Sequence, residues 1–347
     1  MLSRVANSVY WMSRYIERVE NYARLVSANI NLSYDLPGIL SENWSSLLKA
    51  TGDKETYLEH YTEEDKEKII DFITFDVLNQ NSIFNSLSYA RENARTIRET
   101  LPKEIWEHLN GFYLNFKSSN IKSSREIDNI DLFYENIKEE CQLFTGMIEA
   151  TLTRNEAYYF ASLGRFIERA DKTSRFLDIG YFNFKVKSDT KISNPQDLLA
   201  WSAVLKSVSA FNMYRQQYKS LNPESIIEFL IKDRDFPRAI CFSIKKAEYS
   251  LYRIGGVRPQ DSYSNLAEKA ITQLKHEIDF SKVCSTILNE FFSYIKTSNG
   301  KSTSFALTLV ESNAKNPSLI TSSNGVLYFI FLCKIGFPYP ELPIIIN

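Results

Sequence analysis

Two short runs carry the residue types best placed to do chemistry, Arg14-Tyr15-Ile16-Glu17-Arg18 and Arg165-Phe166-Ile167-Glu168-Arg169, set 151 residues apart. Each is followed by an acid and an arginine at matching positions: Glu20 and Arg24 in the first, Asp171 and Arg175 in the second. A carboxylate flanked by guanidinium groups has three chemical uses. Glu17 or Glu168 can serve as a general acid or base while the flanking arginines hold a substrate carboxylate. The arginines can grip an acidic ligand or partner through forked contacts. The groups can also pair with one another across a helix interface and fix its register. A further cluster, Arg91, Arg95 and Arg98 with Glu92 and Glu99 interleaved, could line one acidic-ligand cleft together with Arg14, Arg18, Arg165 and Arg169. The candidate ligand- or partner-binding set is therefore Arg14, Glu17, Arg18, Arg24, Arg91, Arg95, Arg165, Glu168, Arg169 and Arg175.

Other chemistries find no footing in the spacing. Residues Tyr57, Ile105 and Gln273 stand three before His60, His108 and His276, so the Glu-x-x-His pairs of a di-iron bundle are missing. There is no HExxH, Walker A loop, GxGxxG or GxSxG. No metal or cofactor is expected. Cys141, Cys241, Cys284 and Cys333 lie far apart without CxxC and read as buried thiols of a reducing compartment. His108, beside Glu104 and Glu107, reads as a helix-surface residue. Asp235, before Phe236-Pro237, reads as a helix N-cap.

These residues need elements to hold them. The 347-residue chain has 41 Lys+Arg against 42 Asp+Glu, which gives no general grip on nucleic acid or anionic lipid. Only 11 Gly and 10 Pro favour helices. The N-terminus lacks the apolar run of a signal peptide, and the apolar run 326–333 is too short for a span. A cytoplasmic, globular, all-α protein is expected.

The strongest helix runs from about Leu2 to Tyr34, ahead of Pro37-Gly38. Others are predicted over 63–72, 80–100, 102–117, 129–185, 195–218, 223–232, 236–254, 262–280 and 282–297. The longest should break near Gly146, Arg154 or Gly164. Lys117–Asp131 and Lys187–Pro195 read as loops. Along the first helix, Trp11, Met12, Tyr15, Ile16, Val19, Tyr22, Ala23 and Val26 form an apolar arc opposite Arg14, Glu17, Arg18, Asn21 and Arg24. YWMSRYIERVENYARLV (10–26) and ASLGRFIERADKTSRFL (161–177) superpose on these positions. The chain thus reads as a bundle of two pseudo-symmetric repeats, about 1–150 and 151–297, with an irregular tail over 298–347.

The opening MLSRVANSVYWMSRYIERVENYARLV resembles the bacterial Alpha-E family, an all-helical domain of unknown function named for its Glu-Arg motif. The resemblance continues through residues 89–110, 164–178, 201–218 and 229–244 and so covers about 1–297. It implies a helical fold and a partnership with circularly permuted ATP-grasp and transglutaminase-like proteins in peptide synthesis or modification. It implies motif positions only, since no activity is established for the domain. The leading expectation is an accessory helical protein that binds such a partner or an acidic ligand, a peptide or a small carboxylate, through the paired Glu-Arg motifs, with Glu17/Arg18 and Glu168/Arg169 organising the functional face. The alternatives are a helical enzyme using Glu17 or Glu168, and a purely structural role for the Glu-Arg pairs.

Overall fold

The computed structural model describes residues 1–35, 44–119, 129–183, 195–256, 263 and 266–280. Among them every regular element is a helix and none is a strand. The elements are α1 (Ser3–Asp35), α2 (Trp44–Thr51), α3 (Lys54–His60), α4 (Lys66–Thr74), α5 (Ile83–Thr96), α6 (Lys103–Ser119), α7 (Ile130–Thr151), α8 (Glu156–Asn183), α9 (Pro195–Ser207), α10 (Phe211–Gln217), α11 (Pro223–Lys232), α12 (Ile240–Gly255) and α13 (Leu266–Phe280). They divide into two compact units, the first ending at Glu168 and the second starting at Arg169, within α8. The repeats read from the sequence meet near residue 150 instead. The helix expected over 282–297 and the tail lie outside the described residues.

In the first unit α1 is the axis. It packs on α5, α7, α2 and α4, and Gly164 on α8 reaches the Tyr10 carbonyl. The pairs Ser8–Thr96, Tyr15–Tyr89 and Arg18–Asn81 run α1 antiparallel to α5. Enclosure on so many sides explains why the polar arc is as buried as the apolar one: Arg14, Glu17, Glu20 and Asn21 all sit with Met12, Ile16 and Val19 in the core. A helix buried all round normally has to be apolar all round. Here the charged side chains are admitted because each has hydrogen-bond partners, Arg14 on Glu168, Glu20 on Arg24 and Glu17 on the Asn21 amide.

Local chemistry sets the helix ends. Asp65, Ser82, Asn129 and Asn222 cap α4, α5, α7 and α11 through side-chain oxygens, satisfying otherwise orphaned N–H groups. Pro195 and Pro223 open α9 and α11, where a missing N–H costs least. The 129–185 helix breaks over residues 152–155, around Arg154, while Gly146 and Gly164 stay helical. Two short helices, α2 and α3, fall where none is expected. The 195–218 helix is split after Ser207, where Ser209 takes a φ of 52°. Asp235 is no cap: Asp233 accepts from the N–H groups of Asp235 and Phe236, and α12 starts only at Ile240.

In the second unit α12 packs on α13 and α11, α11 also touches α9 and α13, and α9 contacts α10. Its core gathers Trp201, Tyr214, Phe229, Leu230 and Tyr252. Tyr214 and Tyr218 stack at 4.7 Å, Phe229 meets Tyr214 edge-on at 5.7 Å, and the Tyr214 hydroxyl donates to the Ser220 carbonyl at 3.0 Å. The first unit holds a cluster of its own, with Tyr57 and Tyr61 stacked at 4.9 Å, Phe72 edge-on to Tyr57 at 5.1 Å, and the Tyr57 hydroxyl donating to the Glu63 carbonyl.

Candidate functional site

Arg14 and Arg18 are one turn apart on α1 and point the same way. Glu168, thirteen positions into α8, meets both. Arg14 donates to Glu168 Oε2 from Nε at 2.8 Å and from Nη2 at 2.6 Å. Arg18 donates from Nε to Oε1 at 2.7 Å and from Nη2 to Oε2 at 3.3 Å. Four N–H groups thus converge on one carboxylate, and all three side chains are buried: Glu168 is 0% exposed, Arg14 2% and Arg18 7%. Desolvation opposes the charge on Arg18, but Glu168 outweighs it and holds the guanidinium protonated.

The network extends beyond the motif. The third arm of Arg18 donates from Nη1 to Asn81 Oδ1 at 2.7 Å, and Asn81 Nδ2 donates to Asp53 Oδ1 at 2.7 Å. Asp53 occupies the N-cap position of α3 yet makes no side-chain cap there. Its carboxylate instead takes Asn81 and, at 3.5 Å, the Tyr22 hydroxyl. Two arginines and two carboxylates give a balanced set of charges, which lowers the desolvation cost of burying them. Aromatic faces close the cluster, with Arg14 over Trp11 at 4.8 Å and Arg18 over Tyr15 at 5.4 Å. Burial pushes the Tyr15 phenol up, and Arg18 and Arg14 pull it partly back.

The other candidate residues go elsewhere. Arg165 donates from Nη2 to Glu149 Oε1 at 2.6 Å. Arg24 pairs with Glu20, and Arg175 with Asp171, each four residues back on its own helix with Nε at 3.0 Å from the carboxylate. Arg91 binds Asn110 and Glu92, and Arg95 binds Glu92. Arg98 lies over the Trp106 ring at 5.0 Å. In the second unit Arg169 reaches the Pro237 carbonyl at 3.5 Å. The Asn21 amide of α1 donates to Glu17 Oε1 at 3.0 Å. Arg91 and Arg95 are thus paired on α5 and α6, apart from the cluster that joins Arg14 and Arg18.

Asp53 and Asn81 belong to the network and carry no motif that marks them in the sequence. His108 is not on the surface: its ring packs between α6 and α7, with Nε2 at 3.0 Å from the Glu140 carbonyl. Cys141 and Cys241 are buried free thiols. Burial pushes the Cys141 thiol well up, and burial with Asp279 raises Cys241 to about 11. Among the described residues no group of three His, Cys, Asp or Glu is placed to hold a metal, and no helix is long and apolar enough to cross a membrane.

Glu149 supplies a pH signature. Burial opposes its ionisation, but hydrogen bonds from Arg165, Tyr158 and Arg154 win and hold its carboxyl below the ordinary 4.5. A carboxyl depressed on folding contributes stability above its unfolded pKa and loses it as pH falls through the folded one. As the pH falls through and below the ordinary carboxylate range, the melting temperature of the wild type should fall more steeply than that of Glu149→Gln. Parallel melting curves against pH check this, and identical slopes would contradict it.

An all-helical protein whose glutamate and arginines close on each other inside the core is the class that fold and cluster define. The chain belongs to the Alpha-E family: the family model, described as a predicted alpha-helical domain with a conserved ER motif, matches residues 1–308. The match runs past the 297 read from the sequence and takes in the start of the tail. Neither the curated proteins nor the solved structures include a match.

Proposed function

We propose that this protein is a non-catalytic, helical accessory subunit, and that its Glu-Arg motif locks the scaffold rather than binding the ligand. The observation that carries the reading is the saturation of Glu168 by Arg14 and Arg18 at near-zero exposure. A carboxylate that already receives four N–H groups is poorly placed to take a proton from a substrate. Arginines held by it are poorly placed to grip an anion. The partner classes, an ATP-grasp ligase or a transglutaminase-like protein of peptide synthesis or modification, follow from the family resemblance. The partner would then be met by a surface that the lock holds in shape.

The reading includes an origin by internal duplication. Support comes from Trp44 and Trp201, Gly52 and Ser209, Tyr57 and Tyr214, Tyr61 and Tyr218, and Phe72 and Phe229, each pair separated by 157 residues. Gly52 (φ 83°) and Ser209 (φ 52°) both take left-handed backbone, and only the first is the glycine that such a φ favours. The two tyrosine–phenylalanine clusters repeat the same stack, the same edge-on contact and the same hydroxyl-to-carbonyl bond.

Affinity purification from source cells tests the partnership, using the wild type and an Arg14→Met/Arg18→Met/Glu168→Leu variant shown to be folded by circular dichroism. An ATP-grasp or transglutaminase-like protein should co-purify with both. Loss from the folded variant alone would make the motif itself the contact. Absence from both would end the claim of a stable complex.

A further inference from the structure

A small cavity of about 10 Å³ lies between α1, α7 and α8 within the first unit, with Ser13, Glu17, Glu149, Tyr158 and Arg165 on its wall. Two of these residues carry buried polar atoms that have no hydrogen-bond partner among the described residues, Ser13 Oγ and Arg165 Nε. Neither has an easy alternative. Nη2 of Arg165 is held by Glu149 at 2.6 Å, which fixes the plane of the guanidinium and the direction of its Nε–H. Other helical serines of this chain turn back onto the carbonyl four residues earlier, as Ser202, Ser243 and Ser250 do at 2.8–2.9 Å. Ser13 does not, although it is only 5% exposed.

An orphaned buried donor carries an uncompensated desolvation penalty, and native proteins leave few of them. Space for one water centre, lined by the two residues that carry unsatisfied polar atoms and by further polar side chains, meets the requirements of a buried hydration site. A larger anion is disfavoured by the Glu17 and Glu149 carboxyl groups on the same wall, and an apolar ligand would leave both donors unpaired.

We infer that one ordered water occupies this cavity, accepting from Arg165 Nε–H and bonded to Ser13 Oγ, as a polar link between α1 and α8 in addition to the Glu168 cluster. This goes beyond the proposed function and does not depend on it. The linked groups are uncharged or already paired, so the water completes the satisfaction of the interface without adding charge.

The test is the sign of a stability change together with a high-resolution crystal structure. If the water is present, Ser13→Ala removes one of its partners and lowers the melting temperature, by about 2 °C for a chain of this size. If the cavity is empty, the same substitution deletes an orphaned hydroxyl and adds a better helix former, so the melting temperature stays unchanged or rises. Either of those outcomes overturns the inference. In the crystal structure, density for a water within hydrogen-bond distance of both atoms supports it. An empty cavity, or a Ser13 hydroxyl turned onto the Val9 carbonyl, overturns it.

Discussion

Glu168→Gln is expected to cost the folded chain about 3–5 kcal/mol, the range for a buried ion pair that loses one partner. The amide retains one acceptor oxygen but sets an NH2 group where Oε1 or Oε2 now takes guanidinium N–H groups at 2.6–2.8 Å. Arg14 and Arg18 remain charged and buried without their shared counter-charge. Arg18 is left with Asn81, and through it Asp53, while Arg14 retains the Tyr10 hydroxyl at 3.4 Å and the Trp11 face. Neutral dipoles and ring faces compensate only part of such a loss. Glu92→Gln is the control, because Glu92 also holds two arginines but at the surface, and an exposed pair contributes at most about 1 kcal/mol. Urea unfolding of both variants by far-UV circular dichroism measures the difference. Equal, small losses would contradict the account.

Gly164→Ala should destabilise by about 1–3 kcal/mol, against the direction of helix propensity. A Cβ at this position would stand 2.3 Å from the Tyr10 carbonyl oxygen, 3.1 Å from its carbon and 3.2 Å from Arg14 Cγ. The first two atoms are backbone, so no side-chain rotation relieves the clash and α8 must move off α1. That movement pulls Glu168, one turn on, away from Arg14 and Arg18. Gly146→Ala and Gly111→Ala meet nothing within 4 Å and should gain up to about 1 kcal/mol from propensity alone. Opposite signs at Gly164 and at the two open positions, read from thermal melts, check the close approach. A gain at Gly164 would refute it.

Much of the architecture was legible because it rests on local signals. The absence of Gly and Pro before Pro37 marks α1, found over Ser3–Asp35, and Pro223 marks the start of α11. Elements below the reach of periodicity were not legible: α2 and α3 have eight and seven residues, and α3 buries only Tyr57. Nor was the break at Ser209, where a serine takes backbone that usually signals glycine. The doubled motif placed Arg14, Arg18 and Glu168 among ten candidates without singling out the trio, and the same charge stripe suits a solvated face, a cleft or a buried lock. The choice depends on how many helices surround α1, which is a tertiary property. Asp53 and Asn81 were invisible for the same reason, since their roles arise only where the start of α3 and the loop before α5 meet Arg18. Gly164 read as a possible helix break, whereas its missing side chain is what admits the Tyr10 carbonyl.

Arg14, Glu168 and Arg18 form an internal network whose contribution to stability lies in mutual satisfaction. Its most direct test is the unfolding free energy of Arg14→Met/Arg18→Met/Glu168→Leu measured beside Glu168→Gln. Removing Arg14, Arg18 and Glu168 together also removes their desolvation cost and leaves Asp53 its bonds from Asn81 and Tyr22, so the triple variant should lose clearly less than the about 3–5 kcal/mol of the single variant. A single variant as stable as the wild type would contradict the account, because it would mean that the three side chains are solvated and available to a ligand.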